Sequence, residues 1–254
     1  MKIVLIGSGN VATHLGKAFS ISGHDILQVF SNTEVNAKAL ATILKCEFTN
    51  DMDKIIPNAD VYFIALKDDA IEGFTNKFRC LGKVIIHTSA SLPMDVLKKT
   101  SNDYGVLYPL QTFNKMMKLD LTNIPIFIEA NNDKSKKVVT LLAMGISNQV
   151  IELTSDQRLT LHIAAVFANN FTNHLYKIAD DILYASGLEF DILKPLIKET
   201  VDKVMSNKPA NVQTGPASRQ DDKTIKKHLE LLKNFPSYKP IYELLSESIE
   251  KQSK

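Results

Sequence analysis

The sequence predicts an α/β protein: a doubly wound, mostly parallel sheet followed by an all-α C-terminal domain. Three observations point there. Short apolar runs alternate with helical patterns through the first 150 residues. Most of those runs are apolar throughout, which implies burial on both faces and a parallel sheet under helices. After residue 153 the strand-like runs stop and helical periodicity takes over. The expected division is therefore an α/β domain at 1–153 and a helical domain at 154–254.

The elements follow in order. "KIVLIG" reads as the first strand, followed by a helix from about Asn10 to Ser20. Next come "HDILQVF", a helix near Glu34–Leu44, "CEF" and a short helix near Asp51–Ile56. "ADVYFIAL", a helix near Ala70–Phe78, "KVIIHTS", a helical turn after Pro93 and "YGVLYPL" continue the alternation. "IPIFIEA", a helix near Lys134–Ala143 and "QVIEL" close it.

Thr154 and Gln157 then form a capping-box signal, and Gly187 a stop. Between them the pattern predicts one helix of about thirty residues, roughly 45 Å at 1.5 Å per residue. Leu161, Ala164, Ala168, Phe171, Leu175, Ile178 and Ile182 would form a continuous apolar seam. Ile163, Val166 and Phe167 add further apolar faces, so the first half of that helix is expected to be buried nearly all round. Three more helices are expected near Asp191–Ser206, Asp222–Asn234 and Tyr238–Lys251.

Composition narrows the function. Of 254 residues, 44% are hydrophobic and 23% charged, as in ordinary soluble globular proteins. The formal net charge of +2 is weak and neither half is strongly basic, which argues against a nucleic-acid partner. No apolar run approaches the ~20 residues of a membrane-spanning helix. The apolar run before Gly7 is too short for a secretion signal. Cys46 and Cys80 match no metal-ligand spacing and read as free thiols in a reducing cytoplasm.

The chemistry lies at the expected strand ends. Gly7, Ser8, Gly9, Asn10 and Val11 stand between the first strand and its helix, with Ala12 as the third small residue. That is the Rossmann dinucleotide fingerprint. Gly7 permits the tight turn, Gly9 permits close approach of a pyrophosphate, and the helix N-terminus supplies free N–H groups. "VFSNT" at the second strand end lacks the acid that NAD enzymes use for the ribose. Ser31, Asn32 and Thr33 donate hydrogen bonds suited to a 2′-phosphate, and Lys38 lies within reach, so NADP is favoured over NAD. Ala65, Leu66 and Lys67 end another strand and would pass along the cofactor. His87 and Ser89 end the next, where His87 is either a structural hydrogen-bonder or a group acting on substrate or nicotinamide.

On the long helix His162, Asn169, Asn173 and Tyr176 share a face, with Asn170 and His174 beside it. Such groups need partners when buried. The stripe either hydrogen-bonds neighbouring helices or faces the cofactor cleft.

"GSGNVATHL", "HTSAS", "YPLQTF", "HIAAVFANNF" and "TGPASRQDDKTIKKHL" together resemble one family along nearly the whole chain. That family joins an NADP-binding domain, akin to coenzyme-F420-dependent NADP oxidoreductases, to a C-terminal helical domain of unknown function. More distantly the layout is similar to pyrroline-5-carboxylate reductase and the hydroxyacid dehydrogenases. The resemblance implies an NADP-dependent oxidoreductase acting on a small anionic carbonyl or imine compound. His87 or His162 would then donate a proton, and Asn170 and Thr214 would orient the reacting group. Thr214, Gly215 and Arg219 would line the site across a homodimer interface, with Arg219 on the acid end and Asp221 or Asp222 either orienting it or capping the next helix.

The chain departs from the family pattern at three points. Ala90 replaces a glycine, Tyr108 stands in place of a histidine that offered a proton donor, and Gln220 replaces a glycine. The Lys-x-x-x-Asn pair of hydroxyacid dehydrogenases is also missing, since Ala165 and Val166 stand four residues before Asn169 and Asn170. A dinucleotide-sensing protein that uses the same cleft without turnover is the alternative. The length of the apolar seam predicts a homodimer through residues 155–254.

Overall fold

Ile3 to Ile6 are four apolar residues in succession, and they make β1 (Lys2–Ile6) a strand with both faces buried. The same composition recurs in β4 (Val61–Ile64) and β5 (Val84–His87), which are buried at every position. A computed structural model describes residues 1–252. Its first part interleaves these strands with β2 (Asp25–Phe30), β3 (Glu47–Thr49), β6 (Asp103–Pro109), β7 (Ile126–Ala130) and β8 (Val150–Glu152). The intervening helices are α1 (Asn10–Ile21), α2 (Glu34–Leu44), α3 (Asp68–Thr75) and α4 (Asp133–Met144), and α5 (Ser155–Ala165) follows β8. The segment expected to be a short helix near Asp51–Ile56 is a single 3-10 turn, Met52–Lys54.

The eight strands form one sheet in the order β3-β2-β1-β4-β5-β6-β7-β8. Neighbours run parallel except β6 and β7. Strand order reverses between β1 and β4, the position where doubly wound sheets bind ligands beyond their strand ends.

Strand alternation divides the core in two. Ile3, Leu5, Val61, Phe63, Val84, Ile86 and Leu107 join the cluster under α1, α2 and α4. Val4, Ile6, Tyr62, Ile64 and Ile85 join the opposite one, with Ile71 and Phe74 of α3. By the same alternation His87, Tyr108 and Glu129 belong to the second face.

The chain divides into two compact units, Met1–Ala168 and Asn169–Lys254. This division falls inside the long helical stretch, later than the 153/154 boundary read from the sequence.

That stretch is also not one α-helix. α5 ends at Ala165, a π-helical segment spans Val166–Phe171, and α6 (Thr172–Ala185) follows. The wider π turn shifts the register of everything after it. The expected seam is not continuous: Ile178 is buried, whereas Ala164, Ala168, Phe171 and Leu175 are exposed. The expectation of burial all round in its first half is likewise corrected, since Ile163 is 53% and Phe167 65% exposed.

The second unit continues with α7 (Lys194–Ser206), α8 (Asp222–Leu231) and α9 (Lys239–Gln252), all close to expectation. Within it Asp181 accepts hydrogen bonds from Lys177 and Tyr238, and the Tyr242 hydroxyl pairs with His228 Nδ1 at 2.8 Å.

Candidate functional site

The parallel strands end in one row, in which Phe30, Ile6, Ile64, His87 and Val106 are successive register partners. Residues just past that row form the mouth of the site. At β1 the chain must turn sharply, and Gly7 does so at φ 119°, the left-handed region that favours glycine. A side-chain carbon there would lie 2.3 Å from the Ala65 carbonyl oxygen. Gly7 is thus required first by the close pass of β4.

Gly9 differs. It precedes the first turn of α1 with extended backbone, and a side-chain carbon built on it meets nothing within 4 Å. The open space lies at the free N–H end of α1, an arrangement that suits a pyrophosphate.

Ser8 Oγ donates to Ser31 Oγ at 2.8 Å and ties the end of β1 to the end of β2. Ser31 is buried, while Asn32 and Thr33 are exposed. Asn10 is held from the other side: its amide donates to the Phe113 carbonyl and accepts from the Lys115 N–H. Its side chain is therefore occupied, leaving its backbone N–H as the group for a ligand. Val11, Ala65 and Leu66 are half-buried and Lys67 is exposed.

His87 is fully buried. The Ser89 N–H donates to Nδ1 at 3.1 Å, which leaves the proton of the neutral ring on Nε2, an atom with no hydrogen-bond partner of normal geometry. Burial, and next the charge of Arg158, push its pKa down to about 3, against weaker pulls from the Pro93 carbonyl and Asp68. The ring shapes the loop after β5 and carries no charge near neutral pH. Ser89 is buried too, its hydroxyl accepting from Ser91 N–H and Leu92 N–H. Ser91 then donates to Asp68, linking this loop to the start of α3.

Arg158 was missed in the sequence. It is 1% exposed and straps three segments together. Nε donates to the Ser89 carbonyl at 3.1 Å, one terminal nitrogen to the Leu92 carbonyl at 2.6 Å, and the other to Glu129 at 2.5 Å. Glu129 also accepts from the backbone and hydroxyl of Ser155. One signal was available: a cation in the first turn of a helix opposes the helix dipole, so it needs another partner.

His162 lies one turn further along α5. Its Nδ1 is 3.4 Å from the Tyr108 hydroxyl, with the two rings edge to face at 6.3 Å. Burial raises the Tyr108 pKa, with a weaker opposing pull from Arg158. The tyrosine that replaces the family histidine thus supplies a hydroxyl at the mouth. The structure brings together Gly7–Val11, Ser31, Ala65–Lys67, His87, Ser89 and His162 at the strand ends of the first unit.

Asn170, Thr214 and Arg219 belong to the second unit and are exposed. Asn170 sits in the π segment. Gly215, at φ 110°, and Pro216 set the turn in which Thr214 and Arg219 stand. Asp221 accepts from the backbone N–H and hydroxyl of Thr224, so it caps α8.

A cavity of about 520 Å³ lies elsewhere, between α1 and the loop 115–122, and is lined by Lys17, Ile21, Met117, Lys118 and Leu121. It shares no residue with the strand-end mouth. Among the described residues no cluster of potential metal ligands occurs. No helix among them is long and apolar enough to cross a membrane.

Residues 2–91 match the model for "NADP oxidoreductase coenzyme F420-dependent", and residues 124–249 match the domain of unknown function DUF2520. No curated protein matches the chain. An imine reductase from Myxococcus stipitatus, solved with NADP+, aligns at TM-score 0.70 and 14% identity over 99% of this chain and 93% of its own. A 1-pyrroline-5-carboxylate reductase from Streptococcus pyogenes aligns at TM-score 0.61 and 13% identity, over 99% and 98%. These two share the fold. A proposed NADP oxidoreductase from Bacteroides fragilis is far more similar: 42% identity over 98% of both chains, with a TM-score of 0.91. The chain therefore belongs to the family that joins an NADP oxidoreductase domain of the coenzyme-F420-dependent type to a DUF2520 domain.

Proposed function

We propose that this protein is an NADP-dependent reductase of a small anionic carbonyl or imine compound, working in the cytoplasm as a homodimer. The observation that carries this reading is the open backbone at Gly9, set at the reversal of strand order and at the N-terminus of α1. The cofactor would supply hydride.

The chain's own groups do the rest. The first-turn amides of α1 hold the pyrophosphate, and Ser31, Asn32 and Thr33 offer donors to a 2′-phosphate. Ala65, Leu66, Lys67 and Ser89 border the path toward β5. His87 holds the Ser89 loop in shape as a neutral ring, and His162 serves proton transfer. Asn170 and Thr214 orient the reacting group, and Arg219 presents a planar fork suited to a carboxylate. The exposed apolar side chains of the helical unit support pairing with a second copy.

Calorimetric titration tests the cofactor. NADPH should bind at least about tenfold more tightly than NADH, a difference of about 1.4 kcal/mol. Asn32→Asp should reverse the order, because a carboxylate repels the 2′-phosphate and holds the free ribose hydroxyls. Tighter NADH binding to the unsubstituted protein would refute the preference. Tight NADPH binding without turnover of any keto acid or cyclic imine would favour the sensing alternative.

A further inference from the structure

We propose that Tyr108 is the proton donor of this reaction, with His162 resupplying it; the assignment rests on the reductive reading above. Register places the tyrosine. His87 is level with Val106, so Tyr108 stands two residues past the strand-end row, on the same face as His87. β6 is three strands from β1, or about 14 Å at about 4.8 Å per strand. A dinucleotide whose pyrophosphate rests at Gly9 spans that distance.

The environment suits a donor. Tyr108 is half-buried and so keeps some exposure. Its hydroxyl pairs with His162 Nδ1, and the ring also lies 6.4 Å from Phe127. Burial keeps the phenol protonated through the neutral range. His87, the other candidate on this face, is sealed from solvent and too weak a base to carry a transferable proton near neutral pH.

The step balances. The substrate carbon accepts the hydride that NADPH supplies, and the carbon–oxygen or carbon–nitrogen π bond opens onto the heteroatom. The Tyr108 O–H bond breaks and the proton goes to that heteroatom. The phenolate then takes the Nδ1 proton of His162 as Nε2 takes one from solvent, so the ring ends neutral and solvent supplies the net proton. NADPH is oxidised by two electrons and the substrate is reduced by two.

Two measurements test it. In the cofactor-free protein labelled with 13C-histidine, the His162 signals are assigned by their loss in His162→Gln. Tyr108→Phe should shift these signals at fixed pH, and an unchanged spectrum would overturn the pairing. For turnover, NADPH oxidation is followed with 1-pyrroline and with short 2-keto acids. Tyr108→Phe should lower kcat by about 100-fold or more, with NADPH affinity and probe KM within about twofold. His162→Gln should lower kcat by about tenfold and serves as the second variant if Tyr108→Phe does not fold. Undiminished kcat in Tyr108→Phe overturns the donor role and leaves the reductive reading standing. Absence of NADPH oxidation by the unsubstituted protein overturns both.

Discussion

The two units of this chain treat their apolar side chains in opposite ways. In Met1–Ala168 the sheet is covered on both faces and its strands form two closed clusters. In the second unit Ile178, Ala217 and Leu232 are the buried apolar residues among those described. Along α7, Leu196 is 63% and Met205 81% exposed, and Val201 and Val204 on the same helix and Ile192 in the turn before it are exposed too. Scattered exposed apolar residues such as Ile21 and Val35 in the first unit are ordinary. So many in one small helical unit are not, because each side chain left in water forfeits about 1.5–3 kcal/mol of burial. The first unit has a core of its own. The second leaves many of its large apolar side chains exposed, which suits the proposed pairing with a second copy.

The first way to break this contrast is to damage the closed unit from inside. Arg158 offsets its desolvation through Glu129, two carbonyls and the Ser155 hydroxyl. Arg158→Met keeps most of the volume but strands the Glu129 carboxylate. A loss of roughly 3–5 kcal/mol is expected in urea denaturation. The same variant should loosen the Ser89 loop and weaken NADPH binding. Unfolding at the parent's urea concentration would show that the strap does not hold this unit together.

The second concerns the open unit. If α7 pairs with a second copy, Leu196→Glu should weaken the dimer by at least about tenfold, roughly 1.4 kcal/mol, and convert it to monomer in light scattering at micromolar concentration. The urea stability of the first unit should hardly move. An unsubstituted protein that is already monomeric at that concentration would remove the proposed interface.

The contrast also explains what the sequence revealed. β1, β4 and β5 were legible because burial on both faces leaves an uninterrupted apolar run. The Thr154–Gln157 box was legible because a cap is written within four residues, and both of its hydrogen bonds are present. The π segment was not. No Gly or Pro marks Val166–Phe171, and a helical period read over a long window averages across one wide turn. Arg158 escaped because its partners Glu129, Ser89 and Leu92 are between 29 and 69 residues away. The Tyr108–His162 pair spans 54 residues and was hidden for the same reason. Phe171 and Leu175, exposed members of the expected seam, lie at or beyond that wide turn, which no residue in the sequence marks.

The smallest expected effect tests a single cap in the open unit. The Asp221 carboxylate is held below its ordinary range first by the Thr224 hydroxyl, then by the Thr224 N–H, with Arg219 contributing less. A carboxyl whose folded pKa is depressed stabilises the fold at pH values above its unfolded pKa of about 3.9. That contribution is lost as the pH falls through the folded value. Asp221→Asn keeps an oxygen for the Thr224 N–H and removes the charge, so melting should drop slightly near neutral pH. The gap between parent and variant should then close as the pH falls below the folded pKa, where the parent carboxyl is also neutral. Water screens this exposed group, so the shift should be far smaller than for Arg158→Met. Because the cap is made to Thr224, the gap should persist in an Arg219→Ala background. A gap that vanished there would mean that Asp221 acts by orienting Arg219, and would move this carboxylate from the helix to the anion-binding turn.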